Sequence, residues 1–88
     1  MSEREVLIVN PLGLHARPAA QIVRTASDFT SDVRLEKDGM EVNGKSIMGV
    51  MMLAAECGST IRIRATGADE AAALDALCRL VADGFGES

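Results

Sequence analysis

The residues best suited to chemistry lie near the start of the chain, around its single histidine. His15 is followed two positions later by Arg17 and then by Pro18. Proline in the first turn of a helix loses no hydrogen bond, because the first N–H groups of a helix have no acceptor within it. Those N–H groups and the positive end of the helix dipole attract an anion, and arginine can bind phosphoryl oxygens through two N–H groups. The segment therefore predicts an imidazole beside an anion site at a helix start.

Such an imidazole is suited to reversible phosphoryl transfer. A neutral ring nitrogen acts as the nucleophile, and the phosphorylated ring then carries negative charge towards the N–H of Ala16 and the guanidinium of Arg17. The ordinary alternative is an exposed loop histidine beside a solvated arginine. Because a residue before proline disfavours helical geometry, Arg17 either caps the helix or belongs to it. One histidine with no carboxylate cluster near it in sequence does not predict a metal site.

A second distinctive residue is Ser46, which precedes a short apolar helix pattern. Serine is a preferred N-cap, which is a sufficient structural explanation. A phosphate added there would be held by the helix dipole and would bring roughly two negative charges to the adjoining surface. We expect two of the helix side chains to serve the core, namely Val50 and Leu53. We expect three to be exposed as a methionine-rich patch, which is typical of a protein interface: Ile47, Met48 and Met51.

The charges of the chain are unevenly distributed. Its formal net charge of −4 over 88 residues argues against general nucleic-acid binding. Residues 6–27 and 42–55 nevertheless contain no acidic side chain, while Arg17, Arg24 and Lys45 fall within them. If these two segments meet in space, they form a cationic patch suited to an anion and to an acidic protein partner.

The elements that must position these residues follow from the spacing of apolar side chains. We predict strands at 5–10, 32–37, 40–42 and 60–66, and helices that start near Pro18, Ser46 and Ala68. Residues 5–10 are apolar on both faces and so predict a central strand, whereas Asp38-Gly39 predicts a hairpin. The second helix is expected to end near Cys57-Gly58. This βαββαβα order predicts the α+β class, an open-faced β-sandwich in which a four-stranded antiparallel sheet carries three helices on one face.

Length and composition place limits on the whole molecule. A chain this short supports a single domain, over residues 1–88. There is no apolar run near 18 residues and no signal-peptide pattern, so we expect a cytoplasmic protein that does not insert into a membrane. In that compartment Cys57 and Cys78 are expected to be reduced thiols.

The stretch Leu14-His15-Ala16-Arg17-Pro18-Ala19 resembles the active-site signature of the HPr family of the bacterial phosphoenolpyruvate-dependent phosphotransferase system. The resemblance covers nearly the whole chain in length and element order. It implies that enzyme I phosphorylates His15 on Nδ1, that Arg17 stabilises the phosphoryl group, and that an EIIA-type protein accepts it. It also implies a phosphoryl carrier and protein substrate, not an enzyme, with no cofactor and no nucleic acid among its partners. We expect it to be a monomer.

Residues 45–51 resemble the regulatory site of HPr proteins from organisms with an HPr kinase/phosphorylase. This implies that Ser46 can become a phosphoserine that weakens transfer from enzyme I. The side chains expected to dock partners are Arg24, Lys45, Ile47, Met48 and Met51. Three roles stay open: a carrier in sugar transport, a carrier in a nitrogen-related regulatory relay, and a phospho-Ser46 effector that binds partner proteins. The intact His15 disfavours the relatives that use only the serine, and the lack of a Walker loop disfavours a stand-alone enzyme.

Overall fold

A computed structural model describes residues 1–86. In this part the chain forms four strands and three α-helices, as the spacing of its apolar and polar residues favours. In chain order they are β1 (Ser2–Leu7), α1 (Ala16–Ser27), β2 (Asp32–Lys37), β3 (Met40–Asn43), α2 (Ile47–Met52), β4 (Thr60–Thr66) and α3 (Glu70–Ala82). A short 3-10 turn, Gly84–Gly86, follows α3. The order confirms the predicted fold class. The last two residues of the domain predicted over 1–88 lie outside the described residues.

The sheet is antiparallel, with the spatial order β1-β4-β2-β3. Its two central strands alternate strictly, and their inward side chains are fully buried: Val33, Leu35, Ile61 and Ile63. The helices cover this apolar face and contribute to the same core. The alternate residues, such as Arg62 and Arg64, point to the opposite face, which the helices leave open. The predicted open-faced sandwich is therefore confirmed.

The prediction of a central strand at residues 5–10 was wrong. The strand is Ser2–Leu7, and it forms one edge of the sheet, paired with β4. Ile8 is fully buried, whereas Leu7 and Val9 on either side of it are about half exposed, at 51% and 44%. The apolar run thus marks the end of an edge strand and the entry to a loop. Strand position depends on pairing partners far away in sequence, which a local pattern does not contain.

The second helix is shorter than predicted. It ends at Met52 instead of near Cys57-Gly58. Ala54 adopts a left-handed backbone conformation, with φ of +50°, which a continuing helix cannot accommodate. The hairpin at Asp38-Gly39 forms as predicted, with positive φ at both residues.

Both phenylalanines lie just beyond the C-terminal ends of α-helices. Phe29 follows α1 and is half-buried against the core, whereas Phe85 lies in the turn after α3 and is buried. Of the two cysteines, Cys78 is buried and Cys57 is exposed, and neither forms a disulfide within residues 1–86. Burial raises the pKa of the Cys78 thiol. No helix in this part of the chain is both long and apolar enough to cross a membrane.

Candidate functional site

His15 forms the N-cap of α1. Its backbone is extended, with φ of −80° and ψ of −173°, and its carbonyl oxygen accepts the N–H of Ala19 at 3.0 Å. Arg17 is the second residue of the helix and Pro18 the third. Arg17 therefore belongs to the helix, and the cap is the histidine itself. The imidazole lies at the positive end of the helix dipole.

The first turn of α1 provides hydrogen-bond donors at this end. The first N–H groups of a helix have no acceptor in the helix, and here they belong to Ala16 and Arg17, since Pro18 has none. Residues 16–19 contain no acidic side chain that would compete for them. Arg17 is exposed and His15 is half-buried. Such an arrangement can hold a phosphoryl group on the imidazole while solvent and a partner still reach it.

The loop before His15 is fixed against the segment that follows α2. Leu14 is buried, and its N–H donates to the carbonyl oxygen of Ala55 at 2.9 Å. Gly13 has φ of +69°, and a Cβ at this position would collide with the same carbonyl oxygen. The glycine is therefore required by both the backbone angle and the close approach. The two acid-free segments meet here, as the cationic-patch hypothesis requires.

A second contact, between a residue just after α1 and the start of the α2 region, lies at the other end of α1. Lys45 Nζ donates to the carbonyl oxygen of Phe29, just beyond the last turn, at 2.8 Å. Since the residues after α2 contact the start of α1 and the residues before α2 contact its end, the two helices run antiparallel. His15 and Ser46 consequently lie at opposite ends of α1, whose 12 residues span about 18 Å. The structure does not bring the two side chains together.

Ser46 caps α2, which confirms the predicted structural role. Its Oγ accepts the N–H of Gly49 at 3.1 Å. Val50 and Leu53 are buried, and the three side chains predicted to be exposed are so. Among the exposed apolar residues that sequence reasoning missed are Met52 and Leu12, at 65% and 74%. The position of Leu12 between Pro11 and Gly13, in a tight loop, was the signal that could have identified it.

The predicted docking cations are distributed along α1 instead of gathered at His15. Arg17 lies at the start of the helix, and Arg24 is exposed in its last turn. Lys45, half-buried, lies at the same end as Arg24 and also joins α2 to α1. Together with the exposed side chains of α2 they form an elongated surface, which we call the α1–α2 strip and define by Arg17, Arg24, Lys45, Ile47, Met48, Met51 and Met52. It is basic and apolar on an acidic molecule.

The two arginines of β4 are engaged on the opposite, open face. Arg62 pairs with Glu3 at 3.4 Å and with Glu36 at 3.5 Å, and Arg64 pairs with Glu41 at 2.8 Å. Their charge is therefore balanced within the sheet. Among residues 1–86, no group of three or more His, Cys, Asp or Glu side chains could hold a metal ion.

Comparison with known proteins gives a consistent result over the whole chain. Residues 2–83 match the family model for the PTS HPr component phosphorylation site. The phosphocarrier protein HPr of Cupriavidus necator is 49% identical over 87 residues, which are 99% of this chain and 98% of that protein. The crystal structure of HPr-C-His from Thermoanaerobacter tengcongensis has a TM-score of 0.96 at 48% identity, covering 100% of this chain and 99% of that one. An HPr dimer from the same organism matches with a TM-score of 0.79 at 48% identity, over 99% and 100% of the two chains.

Proposed function

The chain belongs to the HPr family of phosphocarrier proteins, and from this membership we propose that it accepts a phosphoryl group on His15 from phosphorylated enzyme I and passes it to an EIIA-type acceptor. HPr phosphocarriers are not catalytic enzymes. The observation that carries the proposal is the place of His15 as the N-cap of α1, the residue directly before the first N–H donors of the helix. Nδ1 forms the bond to phosphorus as the bond between phosphorus and the donor breaks, and transfer to the acceptor reverses these roles.

The proposed contribution of the chain is to stabilise charge and to fix geometry. The N–H groups of Ala16 and Arg17 and the guanidinium of Arg17 offset the negative charge of the phosphoryl oxygens. The first turn carries no carboxylate to repel that charge. Because His15 is only half-buried and Ala16 and Arg17 are exposed, a phosphoryl group at this helix start stays accessible to the next protein. Such a site favours transfer in both directions, as a carrier requires.

Ser46 is part of the proposal as a regulatory site for an HPr kinase/phosphorylase. A phosphate on its Oγ can accept the Gly49 N–H that the hydroxyl now accepts, so α2 keeps its cap. The added charge lies at the start of α2, which carries the exposed methionines, and at the end of α1 that holds Arg24, opposite to His15. Phosphorylation is therefore expected to weaken partner association more than the transfer step itself.

The same carrier chemistry serves a sugar-transport relay and a nitrogen-related regulatory relay, and the acceptor protein distinguishes the two. We propose that the protein acts as a cytoplasmic monomer, so that the α1–α2 strip is free for each partner in turn. Size-exclusion chromatography with light scattering tests the monomer, and a stable dimer that covers the strip would contradict it.

Incubation with enzyme I and phosphoenolpyruvate tests the carrier function. The expected product is a singly phosphorylated protein whose phosphate is labile in acid and stable in base, and His15→Ala should acquire none. Addition of an HPr kinase and ATP should instead give an acid-stable phosphate that Ser46→Ala lacks. Acid-stable label at Ser46 without any label at His15 would contradict the carrier and favour the phospho-Ser46 effector.

A further inference from the structure

The turn that precedes His15 is held by a buried side-chain amide. Asn10 is 1% exposed, and its Nδ2 donates to the carbonyl oxygen of Gly13 at 2.7 Å. The N–H of His15 donates to the same oxygen at 3.0 Å, and the N–H of Gly13 donates to the Asn10 carbonyl oxygen at 3.1 Å. A carbonyl oxygen has two lone pairs and accepts from both donors. The Gly13 oxygen therefore joins the Asn10 amide to the backbone of His15.

No other side chain within the turn can take the place of this amide. Pro11 and Leu12, the two residues between Asn10 and Gly13, are both exposed. Gly13 has no side chain, and as a glycine it could adopt many backbone conformations other than the left-handed one seen here. Asparagine is seldom fully buried, and when it is, its hydrogen bonds usually explain why. The amide thus supplies the constraint that apolar packing supplies elsewhere.

The constraint reaches the helix start through the backbone. The turn and the Leu14 N–H, which donates to Ala55, together set the direction in which the chain enters the cap residue. The cap in turn sets where the N–H groups of Ala16 and Arg17 point relative to the imidazole. We propose that Asn10 is a positioning residue for phosphoryl transfer, which acts on His15 through the Gly13 carbonyl. This inference rests on the proposed function of His15.

Asn10→Ala removes the donor and tests the inference. Phosphoryl transfer from enzyme I is measured at 25 °C over a range of carrier concentrations. The maximal rate is expected to fall roughly tenfold, because a small displacement of a reacting group lowers transfer steeply. The half-saturating concentration should stay within about twofold, since the α1–α2 strip is unchanged. Amide hydrogen exchange, followed by NMR, should show faster exchange at Gly13 and His15, a readout that does not depend on activity.

Ser31→Ala is the matched control. Ser31 is also 1% exposed and donates its hydroxyl to Asp69, but it lies beyond the far end of α1 from His15. This variant should lose stability and keep both kinetic constants. If Asn10→Ala, while folded, transfers as fast as Ser31→Ala, Asn10 has only a structural role and the inference is overturned. Should Asn10→Ala fail to fold, Asn10→Asp keeps the size of the side chain, replaces the donating amide by oxygen, and is judged by the same criteria.

The outcomes also separate the inference from the function on which it rests. A wild-type protein that enzyme I does not phosphorylate overturns both. A wild-type protein that is phosphorylated, beside an Asn10→Ala variant with unchanged maximal rate and unchanged exchange at Gly13 and His15, overturns only the role of Asn10.

Discussion

At the scale of single residues, the site depends on three neighbours that each provide something different. In the proposed carrier role, His15 provides the nucleophile and Arg17 a guanidinium, while Pro18 gives a rigid first turn whose missing N–H costs nothing. Arg34 is also an arginine in the same small domain, but it lies on the open face of the sheet and pairs with Asp32 at 3.0 Å. The two side chains are identical, so it is the position of Arg17 at the helix start that makes it, and not Arg34, a candidate for binding the phosphoryl group.

Charge reversal at these two positions tests this distinction. Arg17→Glu is expected to lower the maximal rate of transfer from enzyme I by roughly 100-fold, because it replaces a stabilising cation with a repelling anion. Arg34→Glu should change the rate by less than about twofold, since the open face contributes no donor to the site. Rapid-quench measurement of the phosphorylated protein gives both rates. Equal effects of the two substitutions would contradict the assignment of Arg17.

Ala54 holds a backbone conformation that suits glycine better. Its φ of +50° costs a residue with a Cβ about 1–2 kcal/mol, whereas glycine loses about 0.4–1 kcal/mol through the freedom it gains in the unfolded chain. Ala54→Gly should therefore raise the free energy of unfolding by about 1 kcal/mol, as measured by urea denaturation. In Ala72→Gly, inside α3, the same change should lower it by about 1 kcal/mol. A loss of stability in Ala54→Gly would mean that the strain is absent.

At the scale of elements, α3 is joined to the rest of the fold by two carboxylates at its start. Asp69 accepts the N–H groups of Thr30 and Ser31, each at 2.9 Å, and the hydroxyl of Ser31. Glu70 accepts the hydroxyl of Ser2 at 2.6 Å and pairs with the N-terminal ammonium at 3.0 Å. One residue thus holds the loop after α1, and the next holds the start of β1. Both carboxylates must be ionised to accept these donors fully.

These contacts predict how stability depends on pH. The Ser31 hydroxyl, followed by the Thr30 N–H, lowers the pKa of Asp69 from 3.8 to about 2. The unfolded chain therefore binds more protons than the folded one between these values, and stability falls as the pH falls from about 4 to about 2. Asp69→Asn should be less stable than wild type at pH 7 and should lose part of this dependence. Thermal unfolding at a series of pH values measures both effects.

The control for Asp69 is another carboxylate of the same helix. Asp75 pairs with Arg79 at 3.2 Å on the exposed face of α3, where an ion pair contributes little. Asp75→Asn should therefore retain the wild-type profile between pH 4 and pH 2. If Asp75→Asn flattens the profile as much as Asp69→Asn does, the assignment of this pH dependence to Asp69 is wrong. Glu70, whose pKa is also lowered to about 2, mainly by the Ser2 hydroxyl, accounts for the slope that Asp69→Asn retains.

At the scale of the whole molecule, the two faces of the sandwich differ in what they leave available. On the open face, Arg62 and Arg64 of β4 pair with glutamates from the other three strands. The α1–α2 strip leaves cations and large apolar side chains exposed, on a chain whose formal net charge is −4. Among residues 1–86, the α1–α2 strip is therefore the surface that we expect an acidic partner with an apolar contact surface to bind.

The docking role of the strip is tested by substituting one exposed methionine within the strip and one outside it. Met48→Asp should raise the half-saturating concentration for transfer from enzyme I roughly tenfold and leave the maximal rate near wild type, because it weakens association and not chemistry. Met40, at the edge strand β3, is also exposed, at 45% against 76% for Met48. Met40→Asp should leave both constants unchanged. A similar rise in both variants would indicate a general effect of the added charge.

The sequence by itself determined what depends on neighbours close in the chain. The βαββαβα order, the Asp38-Gly39 hairpin, the Ser46 cap and the donors around His15 all follow from residue types a few positions apart. Spacing also identified the buried and exposed sides of α2. In each case the deciding interaction is a local hydrogen bond, a backbone angle or the period of a helix or strand.

Only the tertiary structure decided what depends on residues far apart in the chain. Pairing with β4 made β1 an edge strand, and the contacts Leu14–Ala55 and Lys45–Phe29 placed His15 and Ser46 at opposite ends of α1. The sequence placed Asn10 at the end of a predicted strand, and only the folded chain shows its amide buried and bonded to the Gly13 carbonyl oxygen. The physical reason is the same throughout: burial and strand pairing are set by whichever distant segment the folded chain brings near, and a window of sequence contains only one of the two partners.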